Sequence, residues 1–578
     1  MARATGAAQG EMKARPSSAV VLWAVLGAGT SSLDAAPRAF SVGPPPSWVE
    51  HVAVDTKQET PTDQVSAGVY YLLADHQVRV AASVEAYHHM ARRIVNDAGV
   101  GNGAELSLHF DPTFQAMRIH FLRILRGPQL LERLVPAKIQ VIQREPELES
   151  RIYDGSLSVI AFIEDVRVGD VIEYAYTVTG TNPVFAGRYS DSFGVDWSVP
   201  LHRMRFRLSW PAGRELFIRN HRTSLAPATR EGASARELVW DVADPDPVPD
   251  APSLPRGYDP WGWVQLGEHE TWADVARWGT AQFAVPEPAP TEAEDLLAGW
   301  RKASADPAAR VLAALRFVQD EVRYLGMEMG VSSHRPARPD VVLQRRFGDC
   351  KDKALLFCTL ARALGARAVP ALVRSPSGKG LDEWNPSPLA FNHVVARVEL
   401  EGRTYWVDPT LSAQGGDLAH TSFPDYERAL VLAPESASLT RLPTPDLAAP
   451  TTSTREVIAA KSFDGLAEYR VETRFEGADA DRTRRDLQES SRDEIGKSYV
   501  KFYARTYAKI RAAAPVEFKD DRARNVLTSV ERYVIPGFWS PDHKVQLRPS
   551  SLETALPEPR STQGMWPVGL SHPIHVSH

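Results

Sequence analysis

The chain has 578 residues, 43% hydrophobic, 24% charged and 9% aromatic, the make-up of a globular protein rather than a disordered one. Its 66 Lys and Arg against 72 Asp and Glu leave a net charge of −6, too balanced for a nucleic-acid binder. Only two cysteines, Cys350 and Cys358, are present, which excludes a disulfide-stapled scaffold and any cysteine-built zinc or iron–sulfur site.

Residues 1–43 read as a leader. Lys13 and Arg15 precede an apolar run at 19–28, and the small residues Gly29, Thr30, Ser31 and Ser32 follow. That is the three-part pattern of a secretory signal peptide, with Met12 as the expected true start. It predicts a periplasmic or secreted protein, the alternative being a cytoplasmic one. No run of 18 apolar residues exists, so no membrane-spanning helix is expected.

Residues 44–285 are expected to form a β-rich domain. Met204, Phe206, Leu208 and Trp210 alternate with Arg203, Arg205, Arg207 and Ser209, which predicts an apolar face and a basic, solvated one. A second strand is predicted over residues 171–178, after a turn at Val168-Gly169-Asp170. Six prolines at 245, 247, 249, 252, 255 and 260 forbid a central strand or helix there. Pro286-Glu287-Pro288-Ala289-Pro290 is read as a stiff linker.

At Thr291 the period becomes helical, with Thr291 and Glu294 in capping-box spacing. Asp306-Pro307 supplies an N-cap and an N1 proline for a helix carrying Val311, Leu315, Val318, Val322 and Leu325. Another helix is predicted from Asp349-Cys350 to Gly365. Two strands follow, at 392–400 and 403–408. Helices followed by strands make residues 291–435 an α+β domain. A Pro-rich stretch at 442–450 precedes a C-terminal β-rich domain, 446–578, with a strand near 467–475. One polar helix is expected to run from Ala478 into a stripe of Tyr499, Phe502, Tyr503, Tyr507 and Ile510. The last β unit is expected to be incomplete.

Cys350 stands at a predicted helix N-terminus, where unpaired N–H groups and the macrodipole favour thiolate over thiol. Cys358, eight residues on, is about 12 Å away along the helix, too far for a disulfide, and is read as a core residue. The tightest loop between the two strands is Glu401-Gly402. It pairs Leu400 with Arg403 and sets Asp408 opposite Val395, diagonal to His393 on one face. An aspartate that orients an imidazole, which in turn shares the proton of a cysteine, is the logic of a thiol nucleophile. An oxyanion donor beside the Cys350 N–H is expected from Gln319, Tyr324 or Trp406. No phosphate-binding glycine motif follows a strand, so no nucleotide cofactor is expected. His572, His575 and His578, and His88-His89, lack the partners of a metal site, so no metal is expected.

Three stretches resemble the core motifs of the bacterial transglutaminase-like superfamily, over about residues 291–435. They are Arg346-Phe347-Gly348-Asp349-Cys350-Lys351-Asp352-Lys353-Ala354, Phe391-Asn392-His393-Val394-Val395 and Tyr405-Trp406-Val407-Asp408-Pro409-Thr410. The resemblance implies a papain-like fold with Cys350 as nucleophile, His393 as general acid and base, and Asp408 as its orienting partner. Glu173-Tyr174 and Asn182-Pro183-Val184-Phe185 resemble the domain of unknown function that commonly precedes such domains in exported bacterial proteins. The expected function is a thiol enzyme acting on amide bonds of peptides or proteins, cell-wall peptides included, by hydrolysis or acyl transfer. The alternative is a non-catalytic binding or scaffold protein of the cell envelope.

Overall fold

The computed structural model describes residues 40–145, 147–248, 261–375, 380–444, 451–463, 465–540 and 542. The expected leader up to residue 39, the prolines at 249, 252, 255 and 260, and His572, His575 and His578 lie outside the described residues.

Alternating side chains build a β-rich N-terminal region. Val69–Val80 (β1), Val84–Ile94 (β2), Ala116–Arg126 (β3), Val171–Thr179 (β4), Arg203–Pro211 (β5) and Ala235–Ala243 (β6) are the body of its largest sheet, in the order β3-β4-β2-β1-β5-β6. Phe40–Val42, the end of the expected leader, adds to β3 as a parallel strand with Phe40 buried. Met204, Phe206, Leu208 and Trp210 are buried together as their alternation requires, against Val264 and Leu266 of Trp263–Gly267 (β7) in a second, smaller sheet.

The opposite face corrects the expectation of a solvated basic surface. Arg205 and Arg207 are 4% and 7% exposed. Arg205 pairs with Asp75 at 3.0 Å and Glu50 at 2.5 Å, while Arg207 donates to the Trp48 carbonyl at 3.1 Å and pairs with Glu237. Alternation says only that these side chains oppose the apolar face. What covers them, the segment carrying Trp48 and Glu50, comes from far upstream, and buried cations persist there because each is paired. His88 and His89, adjacent on β2, point to opposite faces. His88 stacks between His76 and Tyr176, and His89 bonds Glu173 at 2.8 Å.

The central domain begins after helix Trp272–Gln282 (α1). The capping box expected at Thr291 and Glu294 is absent: Thr291–Ala293 is a 3-10 turn, and helix Glu294–Ala303 (α2) starts without a side-chain cap. Pro290 leads directly into the tighter turn, so Thr291 falls inside the helical segment rather than ahead of it. Asp306 caps Pro307–Glu321 (α3), and Asp349 caps Cys350–Ala363 (α4), which ends before Gly365 at φ +95°. Arg367–Val373 (β8), His393–Leu400 (β9), Arg403–Val407 (β10) and Arg428–Val431 (β11) form an antiparallel sheet in the order β10-β9-β8-β11. Leu356, Phe357, Cys358, Leu360 and Ala361 of α4 pack between α3 and the sheet face of Ala368, Ala396, Val398 and Val407. Truncating a leucine in such a core costs about 2–5 kcal/mol. Cys358 is fully buried there, and burial pushes its thiol far above the ordinary range.

The C-terminal part packs helices on a sheet built around Ala467–Glu476 (β12) and Val526–Ile535 (β13). The single helix expected here is two, Gly477–Glu489 (α5) and Arg492–Tyr503 (α6). Ser491 starts the second with a true capping box to Glu494, a signal that breaks the polar run.

Candidate active site

Cys350 opens α4 because the Asp349 carboxylate accepts from the N–H groups of Lys351 at 3.1 Å and Asp352 at 3.3 Å. The motif lysines are structural. Lys351 is buried between Asp349 and Glu328, and Lys353 donates to the carbonyls of Val322 at 2.7 Å and Gln319 at 3.3 Å, closing the end of α3. Burial lowers the Lys353 ammonium to about 8. Cys350 itself is 3% exposed, in a cluster with Val275, Phe283, Leu381, Phe391 and Val394. Trp272, Trp278, Tyr324 and Trp384 flank that cluster.

His393 and Asp408 meet as the strand register predicts. Leu400 pairs with Arg403, and Glu401 and Gly402 both have positive φ, the backbone of a type I′ loop. Nε2 of His393 lies 2.8 Å from Oδ2 of Asp408. The other face of the same relationship is not readable from alternation. Val395, which shares a strand face with His393, packs in the cluster of Val369, Ala371 and Tyr426, on the side of the sheet away from α4. His393 is the first residue of β9, so its ring sits at the end of the sheet. There the neighbouring Cys350 side chain, together with Asp408, favours its protonated form. With Nε2 engaged by Asp408, Nδ1 is the nitrogen left for the thiol.

Burial opposes charge on both members of the pair, and their mutual attraction outweighs it. Asp408 and Cys350 hold the His393 imidazolium up to about 10. Burial of Asp408 is offset by His393 and Thr410, which bring its carboxyl down to about 2. Thr410 donates to Oδ1 from its N–H at 2.8 Å and its hydroxyl at 2.6 Å. Tyr426 donates to Oδ2 at 2.8 Å, and its ring lies 5.7 Å from that of His393. Tyr426 carried no motif in the sequence.

The three oxyanion candidates part company. Gln319 uses both amide hydrogens elsewhere, on the Asp408 carbonyl at 2.9 Å and on Gln414 Oε1 at 2.7 Å. It therefore has no N–H for a substrate, a correction imposed by its position on a buried helix face. Trp406 packs with Phe423 on the sheet face away from α4. Tyr324 is the candidate next to the thiol: it pairs with Gly348 across a short parallel bridge. Burial, then the neighbouring Cys350 and Asp349, push its hydroxyl far above its usual range, so it stays a donor.

The N-terminal region closes round this site. Asn182 donates to the Gly330 carbonyl at 2.7 Å and Ser333 at 3.0 Å, and Trp278 Nε1 donates to the Val184 carbonyl at 2.8 Å. The Gln265 amide binds both backbone groups of Asn385, at 3.0 and 2.9 Å, and Trp263 stacks on His221 and lies tilted against Trp384 with ring centroids 4.7 Å apart.

Residues 294–408 match the model of the transglutaminase-like superfamily. The central domain is transglutaminase-like. Residues 81–249 match a domain of unknown function, DUF3857, so the two domains occur in the order that the motifs suggested. The crystal structure of a "putative protease" from Parabacteroides distasonis ATCC 8503 aligns over 82% of this chain and 94% of its own, with TM-score 0.54 and 11% identity. At that identity the likeness is one of fold alone. A "putative cysteine protease" from Cytophaga hutchinsonii aligns over 38% of this chain and 74% of its own, at 14% identity and TM-score 0.19. An M1 zinc metallopeptidase mutant from Deinococcus radiodurans aligns over 35% and 42%, at 11% identity and TM-score 0.19. No curated protein matches the chain. Among the described residues no helix is long and apolar enough to cross a membrane, and no group of three or more His, Cys, Asp or Glu side chains could hold a metal.

Proposed function

We propose that this protein is an exported thiol enzyme that acts on amide bonds of peptides or proteins through an acyl-thioester. The His393–Asp408 hydrogen bond, with Cys350 beside the imidazole, carries the proposal. Cys350 Sγ attacks the substrate carbonyl carbon. The C–N bond breaks as the His393 imidazolium gives its proton to the leaving amine, with Asp408 holding the ring. Water, or a second amine, then attacks the thioester while His393 takes up its proton, and the Cys350 thiolate is restored. The developing oxyanion is met by the Cys350 N–H and the Tyr324 hydroxyl. Export rests on the basic and apolar start of the chain, and the domains are placed at 44–285, 291–435 and 446–578.

Iodoacetamide labelling at mildly acidic pH tests the proposal. Preferential modification of Cys350 over Cys358, lost in His393→Ala, is the expected result. One observation favours a non-catalytic scaffold instead: Cys350 is 3% exposed. Equal, slow labelling of both cysteines would decide for that alternative. Ammonia release against amine incorporation on glutamine peptides separates hydrolysis from transfer.

A further inference from the structure

The transglutaminase-like match stops at Asp408, and the chain just beyond it runs beneath the C-terminal domain. Arg316 of α3 donates to Gln319 Oε1 at 2.7 Å. Gln319 Nε2 donates to the backbone carbonyl of Asp408 at 2.9 Å and to Gln414 Oε1 at 2.7 Å. Gln414 Nε2 then points at Ser422, 2.8 Å from its carbonyl and 2.9 Å from its hydroxyl, with Asp481 Oδ2 at 3.4 Å. Asp481, on α5 of the C-terminal domain, accepts from Ser422 Oγ and, at 2.9 Å, from the Gly415 N–H, and Arg484 holds it at 3.0 Å. Gln319, Gln414 and Asp481 are 2%, 0% and 2% exposed.

The ends of this run fix its direction. A guanidinium only donates and a carboxylate only accepts, whereas a carboxamide has one end of each kind. With Arg316 at one end and Asp481 at the other, neither glutamine can flip without burying an unmatched pair. Gln414 is therefore held with its oxygen towards Gln319, and Gln319 with an N–H aimed at the Asp408 carbonyl. Gly415 allows the close approach: a Cβ there would lie 2.5 Å from Asn525 Oδ1 and 2.8 Å from Arg522 O.

We propose that Asp481 is a positioning residue for Asp408, acting through Gln414 and Gln319, so that the C-terminal domain completes the site. This rests on the proposed role of Asp408 in orienting His393. The test is the pH profile of Cys350 alkylation by iodoacetamide in the full chain. Asp481→Asn and Gln414→Met are compared with Ile535→Ala, a core truncation at the far end of β13 in the same domain. The two relay variants are expected to slow labelling at pH 6 about tenfold, the size of one pKa unit. Ile535→Ala lowers the melting temperature and keeps the wild-type profile. Folded relay variants with a wild-type profile, or an equal shift in Ile535→Ala, would overturn the inference. If Asp481→Asn does not fold, Gln414→Met decides. A wild-type protein with no His393-dependent acid limb would instead refute the proposed function itself.

Discussion

Tyr426 donates its hydroxyl hydrogen to Oδ2 of Asp408 at 2.8 Å, the same oxygen that faces His393 Nε2 at 2.8 Å. Thr410 occupies the other carboxylate oxygen twice. Four donors converge on two oxygens in a residue with no exposed surface, so the carboxylate has one orientation and keeps its charge. Asp408 reaches the imidazole as a fixed anion.

Tyr426→Phe therefore removes one of those donors while leaving the ring beside His393. Stability should fall by about 1–2 kcal/mol, the cost of a lost hydrogen bond to a buried charge. Cys350 labelling at pH 6 should slow a few-fold. Urea melts and alkylation rates measure the two effects, and a variant unchanged in both would make Tyr426 a packing residue only.

Tyr324→Phe separates oxyanion binding from thiol activation. Acylation of Cys350 by p-nitrophenyl acetate should drop by about 10²–10³, as when one oxyanion donor is lost, while iodoacetamide labelling stays near wild type. Equal retention of both rates would remove Tyr324 from the oxyanion site.

The pH dependence follows from the pair. His393 binds its proton more tightly in the folded protein, with its pKa raised from 6.5 to about 10, so its stabilising contribution is full below about 6.5 and fades as pH rises towards 10. Asp408 is lowered from 3.8 to about 2, so its contribution is full above about 3.8 and is lost as pH falls towards 2. The difference in melting temperature between wild type and His393→Ala should be widest between these limits and narrow towards pH 10. A constant difference from pH 5 to 10 would contradict the ion pair.

Asn182→Ala tests whether the N-terminal region and the central domain unfold together. It strips a donor from the Gly330 carbonyl and Ser333, and an acceptor from the Val184 N–H, which lies 3.0 Å away. A loss of about 1–3 kcal/mol is expected, with the urea transition splitting in two. A single transition at the wild-type midpoint would show that the contact is dispensable.

Local rules read the central domain well. A capping aspartate, an N1 proline, a glycine past the helix end and a two-residue loop with positive φ each act over a few residues, and all four stand where the motifs put them. The same rules misjudged Arg205 and Arg207, because their cover arrives from residues near 48. They also missed the break between α5 and α6, although Ser491 and Glu494 carried the capping-box signal that could have found it.

What the sequence determined by itself is the order of the domains, the helix that Cys350 opens and the strand register that sets His393 diagonal to Asp408. Each follows from spacing and backbone preference within one or two adjacent elements. Only the tertiary structure decided that the His393 ring at the end of β9 lies beside Cys350, that Tyr324 stands by the thiol while Gln319 does not, that Tyr426 bonds Asp408, and that Gln414 and Asp481 connect to Asp408 through Gln319. Those contacts join residues 18 to 95 positions apart, where packing of whole elements, and not any local preference, sets which side chains meet.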